Sequence, residues 1–233
     1  MSVPVVVGLL DSGVDPSLID ADWPRRSFVI ADDGSLAIRV DGAPDRVGHG
    51  TELARIILHG APGVRLAVAR IFIDRFACTP AAAAAGLDWL VDQGVRLVNM
   101  SFGLVHDRAV LREACARATA AGVLLAAAAP ARGRSVFPGS YDGVVRVSGD
   151  ARCRPGEISV LGGSQADFGA CVGPRGKDGG HRRTGGASFA TAHFAAVAAA
   201  RLANNPDAEN RWVLQRLARN SRYHGPERRR AEA

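Results

Sequence analysis

Three polar residues stand where a chain of this pattern could do chemistry. Asp11 closes the apolar run of "VPVVVGLLDSGVD", His49 sits between two glycines in "GHGTELA", and Ser188 opens the alanine-rich stretch "GGASFATAHF". Singly, each has an ordinary explanation: Asp11 and His49 as turn or capping residues, Ser188 as a helix N-cap. Together they are a carboxylate, an imidazole and a hydroxyl, the parts of a nucleophilic triad. A serine is a weak nucleophile at neutral pH and needs a base within hydrogen-bond reach. An imidazole is such a base, and a carboxylate fixes its tautomer and stabilises the imidazolium. Small residues around Ser188 let a peptide backbone come close. A helix beginning there points its positive end at a developing oxyanion.

The elements that must hold these residues alternate. Residues 3–10, 64–73, 95–100, 123–129 and 143–147 read as buried strands. Helical spacing covers 49–58, 80–94 and 107–122, the last two ended by Gly94 and Gly122. A long helix follows Ser188, and Pro206 starts a final one through "AENRWVLQRLAR". Apolar strands alternating with helices imply an α/β fold with a mostly parallel sheet covered on both faces. In such sheets ligands bind beyond the carboxyl ends of the strands, where Asp11, His49 and Ser188 fall. No repeat or linker divides the 233 residues. The expectation is one catalytic domain over 1–220 and a basic, loose tail over 221–233.

Composition narrows the function. Hydrophobic residues make 47% and charged residues 22%, an ordinary globule, and no apolar run is long enough for a membrane span. The N-terminus reads as a strand, not a signal peptide. Four cysteines, Cys78, Cys115, Cys153 and Cys171, show no CxxC spacing; they are expected to be free thiols in the cytoplasm, with no metal and no cofactor. The net charge of +6 comes largely from "RGR" (132–134), "HRR" (181–183) and "RRR" (228–230). Without interleaved aromatics these read as solvated loops and tail, not as a nucleic-acid surface.

In the order Asp, His, Ser, the three blocks "DSGVD", "GHGT" and "GASFATAHFAA" resemble the signature blocks of the subtilisin-like serine proteases, the subtilases. "LVNMSFG" (97–103) is similar to the family's substrate-pairing strand, "VLLAAAAP" (123–130) to the opposite wall of its first pocket, and "NPDAENRWVLQRLARNSR" to its terminal helix. The resemblance implies a three-layer subtilisin-like fold. It makes Asp11 the orienting carboxylate, His49 the base and Ser188 the nucleophile, with the Ser188 backbone N–H in the oxyanion hole. It implies that Ser101, Phe102 and Gly103 take substrate as an added strand, and that Ala127, Ala128 and Ala129 line the first pocket.

The departures matter as much. The family's fifth block ends in Gly-Asn, and that Asn donates to the oxyanion; here Ala129 and Pro130 stand instead. Proline offers neither a side-chain donor nor an N–H. Loss of one such donor costs roughly a hundred- to a thousandfold in rate, and Arg132, Arg134 and Ser135 are the nearby candidates to replace it. The methyl of Ala129 should narrow the first pocket toward small residues, and Ala187 replaces the usual threonine. The family's calcium loop after the histidine helix has no counterpart, and no pro-domain is expected ahead of the first strand. The expected protein is a trimmed intracellular endopeptidase acting on a peptide or protein substrate, a dedicated precursor whose leader it removes. Compact subtilases of that kind include one in quinohemoprotein amine dehydrogenase maturation. The alternative is a catalytically silent subtilase fold that only binds a peptide. An α/β-hydrolase esterase fits worse, since "GASFA" lacks the second glycine of a nucleophile elbow. "GLLDSG" is not a dinucleotide-binding turn.

Overall fold

A computed structural model describes residues 4–31, 33–40, 44–173 and 186–227. The basic clusters at 181–183 and 228–230 lie outside the described residues. The chain runs β1 (Val6–Asp11), a single 3-10 turn (Pro16–Leu18), β2 (Arg25–Ile30), β3 (Leu36–Val40), α1 (His49–Gly60), β4 (Arg65–Arg70), α2 (Pro80–Asp92), β5 (Leu97–Met100), α3 (Ala109–Ala120) and β6 (Leu124–Ala128). It continues with β7 (Val144–Gly149), β8 (Ile158–Val160), β9 (Phe168–Ala170), α4 (Ala187–Asn204), α5 (Asn210–Arg219) and β10 (Tyr223–His224).

The strands form one sheet in the order β10-β8-β9-β7-β6-β5-β1-β4-β2-β3. From β2 through β9 neighbours pair in parallel, whereas β3 is antiparallel to β2 and β8 to β9. Residues of the apolar strand runs divide between two faces. Val7, Leu9, Leu66, Val68, Leu97, Leu124, Ala126 and Val147 meet α1, α4 and α5 on one side. Leu10, Ala67, Ala69, Val98, Met100, Leu125 and Ala127 meet α2 and α3 on the other. Each leucine so buried contributes roughly 1.5–3 kcal/mol over leaving it in water. This is the expected three-layer α/β sandwich, and it explains why the strands read as continuous apolar runs: both faces are covered.

Local chemistry sets the helix ends. Thr79 Oγ1 accepts from Ala82 N at 3.1 Å and Pro80 takes the first helical position of α2, where proline's missing N–H costs nothing. The helices α2 and α3 stop where Gly94 (φ 71°) and Gly122 (φ 81°) take the left-handed conformation. The tail beyond residue 221 is held further than its composition suggested. Arg222 N donates to Ile158 O at 2.7 Å, β10 pairs with β8, and Gly225 N donates to Val160 O at 2.8 Å.

Candidate active site

The central strand β1 has β4 on one side and β5 on the other, so the chain's winding reverses there and a crevice opens beyond its carboxyl end. Asp11 is the last residue of β1 and its side chain is fully buried. The turn after it packs against the start of α1. Ser12 Oγ accepts from Gly50 N at 2.9 Å, and a Cβ on Gly50 would lie 2.1 Å from the Gly13 carbonyl oxygen. Only glycine allows that approach, which brings His49 over Asp11.

The first turn of α1 is capped from a distance. Its N-cap is Gly48, whose φ is 78°. Asp45 supplies the acceptors: Oδ1 to Gly48 N (2.9 Å), Oδ2 to Thr51 N (2.9 Å) and to Thr51 Oγ1 (2.7 Å). His49 is therefore not a capping residue and its imidazole is free to face the crevice. Its Nδ1 lies 2.8 Å from Asp11 Oδ1. The same Oδ1 accepts from Ser12 N at 2.8 Å, while Oδ2 is buried without a partner among the described residues. Burial works against the imidazolium, but the hydrogen bond and charge of Asp11, with Asp45 behind, prevail and raise His49 above its ordinary 6.5. The ring is flanked edge-on by Phe76 at 5.0 Å and Phe189 at 6.2 Å between centroids.

Ser188 is the second residue of α4, whose N-cap is Gly186 (φ 104°) with no side-chain cap. Ser188 is thus not the N-cap either. Phe189 beside it carries the contact with His49. The Ser188 hydroxyl donates to the Ser101 carbonyl at 3.1 Å rather than to His49, and Ser101 Oγ donates back to the Ser188 carbonyl at 3.0 Å. The structure thus joins Asp11 to His49 and Ser188 to Ser101.

The expected pocket residues divide. After Met100, which pairs with Ala127, β5 and β6 part. The Ala127 methyl is packed among the residues of the α2–α3 layer, leaving Ala128 and Ala129 at the strand end. The chain then loops out through Pro130 and returns to pair Leu104 with Phe137, through hydrogen bonds of 2.6 and 2.9 Å. This return sets Val136 against Gly103: a Cβ on Gly103 would meet Val136 Cγ2 at 2.7 Å. Val136 therefore fills space between the two walls, a contact that sequence reading missed. Phe76 was missed as well. It is 63% exposed and continues an edge-on row through Phe72 to Phe102, with centroids 6.0 and 5.9 Å apart. An exposed phenylalanine beside a histidine is a signal visible only once the fold is known.

Of the three candidate second donors, Arg132, Arg134 and Ser135 are all exposed and none is hydrogen-bonded to Asp11, His49 or Ser188. Arg132 lines a cavity of about 540 Å³ with Ser148, Gly149 and Gln165. Gln165 Nε2 ties this loop down through the Gly133 carbonyl at 2.8 Å. The Ala129 N–H is already spent on the Val147 carbonyl at 2.8 Å.

The profile of the subtilase family matches residues 4–231. The chain belongs to the subtilase family. It is 29% identical to the thermostable alkaline protease of Halalkalibacterium halodurans over 94% of this chain, and spans 62% of that protein's length. Against subtilisin DY of Bacillus licheniformis it is 26% identical, covering 92% of this chain and 82% of the relative. Among solved structures, the protease domain of PatA aligns with a TM-score of 0.60 at 24% identity, covering 87% of this chain and 80% of that one. A lanthipeptide protease aligns with a TM-score of 0.65 at 17% identity, covering 91% and 78%. At such identities the structural likeness speaks for the subtilase fold alone.

A subtilase calcium loop after the histidine helix would need room and oxygen ligands. Here α1 ends at Gly60 and β4 begins at Arg65, and the residues between, Ala61-Pro62-Gly63-Val64, carry no carboxylate. This turn does not fit a calcium ion. Among the described residues no group of three His, Cys, Asp or Glu side chains gathers, and no helix is long and apolar enough to cross a membrane.

Proposed function

We propose that this subtilase is a serine endopeptidase working through Asp11, His49 and Ser188. The observation that carries the reading is the contact at 2.8 Å between His49 and the buried Asp11, at the carboxyl end of the central strand and beside the helix bearing Ser188. Asp11 holds His49 as the Nδ1–H tautomer, so Nε2 takes the Ser188 proton as Oγ attacks the scissile carbonyl. The tetrahedral oxyanion meets the Ser188 N–H and the positive end of α4. His49 then returns the proton to the leaving amine, and water hydrolyses the acyl-serine by the same route. The candidates for a second oxyanion donor are Arg132, Arg134 and Ser135 in the loop after Pro130, which stand exposed in the free chain and meet the oxyanion only once substrate is in place.

The substrate is a dedicated precursor peptide laid along Ser101–Gly103, with a small residue just before the cut. Val136 against Gly103 and the methyl of Ala129 support that restriction, since together they leave little room for a large side chain. Four free cysteines support an intracellular site of action; burial drives the thiols of Cys78 and Cys115 up to about 12, which keeps them inert.

A second reading, a fold that binds peptide without cutting it, draws on two observations: Pro130 in the oxyanion wall, and a Ser188 hydroxyl bonded away from His49. A fluorophosphonate probe separates the two. Covalent labelling of Ser188, found by peptide mass spectrometry, is expected for the enzyme. An unlabelled protein that still binds peptide would establish the silent fold.

A further inference from the structure

Between β5 and α4 runs a buried chain of polar contacts that the triad does not use. Asn99, fully buried near the end of β5, donates from Nδ2 to Ser101 Oγ at 2.9 Å. Ser101 Oγ donates to the Ser188 carbonyl at 3.0 Å, and Ser188 Oγ donates to the Ser101 carbonyl at 3.1 Å. Ser101 is itself only 5% exposed. The backbone just beyond is unpaired: no backbone–backbone hydrogen bond is made by Ser101, Phe102 or Gly103 among the described residues, and the ladder resumes only where Leu104 meets Phe137. The Ser101 carbonyl is therefore the first acceptor of an open strand edge, and the Ser188 hydroxyl is what occupies it.

A serine hydroxyl carries one proton. Donated to Ser101, that proton is withheld from His49, so the nucleophile is not hydrogen-bonded to its base in this structure. A peptide added as a strand brings backbone N–H groups to that same edge. A backbone N–H arriving at the Ser101 carbonyl competes with the hydroxyl for it, and the displaced hydroxyl has His49 as its next acceptor.

We propose that Ser101 is a positioning residue that latches the nucleophile: its carbonyl holds the Ser188 hydroxyl until a backbone N–H of the peptide displaces it toward His49. Asn99 and the Ser101 hydroxyl keep that carbonyl in place against α4. The proposal rests on the reading of Ser188 as nucleophile and deepens it: an extended peptide arms the site by docking, whereas a molecule without a backbone N–H at that point meets an unarmed serine.

A peptide that the wild-type protein cleaves is remade with a reduced, uncleavable scissile bond, with and without N-methylation of the residue before the cut. Each form is titrated calorimetrically into wild type and into Ser188→Ala, whose melting curve serves as the folding check. Competition for one carbonyl predicts that S188A binds the N–H peptide more tightly than wild type, by roughly two- to tenfold, the worth of one neutral hydrogen bond. The difference should vanish with the N-methyl peptide. Equal affinities of the two proteins for the N–H peptide overturn the latch, as does a difference that survives methylation. Failure to find any peptide whose cleavage depends on Ser188 removes the nucleophile reading itself, and the latch with it.

Discussion

The two halves of the crevice are built to different standards. On the β1–α1 side, Asp11 is fully buried and His49 is fixed by a 2.8 Å bond, by Asp45 behind it and by a glycine that lets two backbones touch. On the β5–β6–α4 side, the Ser188 hydroxyl bonds away from the base and the strand edge is open. Pro130 offers no donor, and the residues that could replace it are exposed. The base is finished before substrate arrives; the nucleophile and the oxyanion wall are left to be completed by it. A preorganised base avoids reorganisation during the reaction, while a substrate-completed nucleophile confines the reaction to peptides that can pair with the edge. That division fits the precursor-processing role proposed above.

The sharpest way to break this comparison is to remove one part from each side. Ser188→Ala should lower turnover of a cleaved peptide by roughly 10⁶-fold while leaving the melting temperature close to wild type; an unchanged rate would undo the assignment. Asp11→Asn should cost about 10⁴-fold in kcat through the wrong imidazole tautomer. It should also shift the pH profile. His49 is raised above 6.5 in the folded protein, so the acid limb of kcat/KM should have its midpoint above that value in wild type and move down in D11N. The pair's contribution to stability runs the opposite way. It is complete below the unfolded pKa and lost as the pH rises through the folded one. Activity therefore gains over the interval in which this stabilisation fades.

Much of the β1–α1 side was legible from the sequence, because its determinants are local. An acid ending an apolar run and a histidine between glycines each carry their meaning within a few residues. The β2–β3 hairpin went unread although Asp33-Gly34 between two apolar runs is a hairpin signal. Its strands are half exposed, with Ile30, Leu36 and Ile38 between 37 and 56% accessible, and so lack the buried-run pattern used for the others. The strands β8, β9 and β10 are two or three residues long, too short for any period to show. Least legible was the β5–β6 side. Nothing near Val136 in sequence indicates Gly103, and nothing near Ser188 indicates Ser101; both contacts exist only because the loop after β6 returns and α4 docks on the sheet.

Two smaller effects sharpen the comparison on that side. Val136→Gly should open the space against Gly103. In peptide-library profiling, cleavage after Leu or Phe should rise by about tenfold or more relative to cleavage after Ala, the lower bound for even one methylene accommodated in a pocket. A profile unchanged in V136G would show that Val136 does not face the substrate. Arg132→Ala and Arg134→Ala, made separately, test the second donor. The one that completes the oxyanion hole should lose about tenfold or more in kcat with little change in KM, because the contact is made in the transition state. If both keep wild-type kcat, Ser135 or a backbone N–H supplies the donor instead.

The smallest expected effect concerns calcium, and its size can be bounded. A structural ion bound at a hundred times its Kd stabilises the folded state by roughly 2.7 kcal/mol. For a domain of 150–250 residues each kcal/mol moves the melting temperature by about 2–4 °C. Chelation of such an ion would thus lower it by about 5–11 °C, a shift any melting curve detects. The structure argues against a shift of that kind at the place where this family's loop would stand. There the chain passes from Gly60 to Arg65 through four residues, none able to offer a side-chain oxygen, and α1 gains its hold on the sheet from Leu53, Ala54 and Ile57 instead. EDTA at millimolar concentration should therefore leave both the melting temperature and the rate of peptide cleavage unchanged. A drop of several degrees, restored by added calcium, would place a metal elsewhere in the chain.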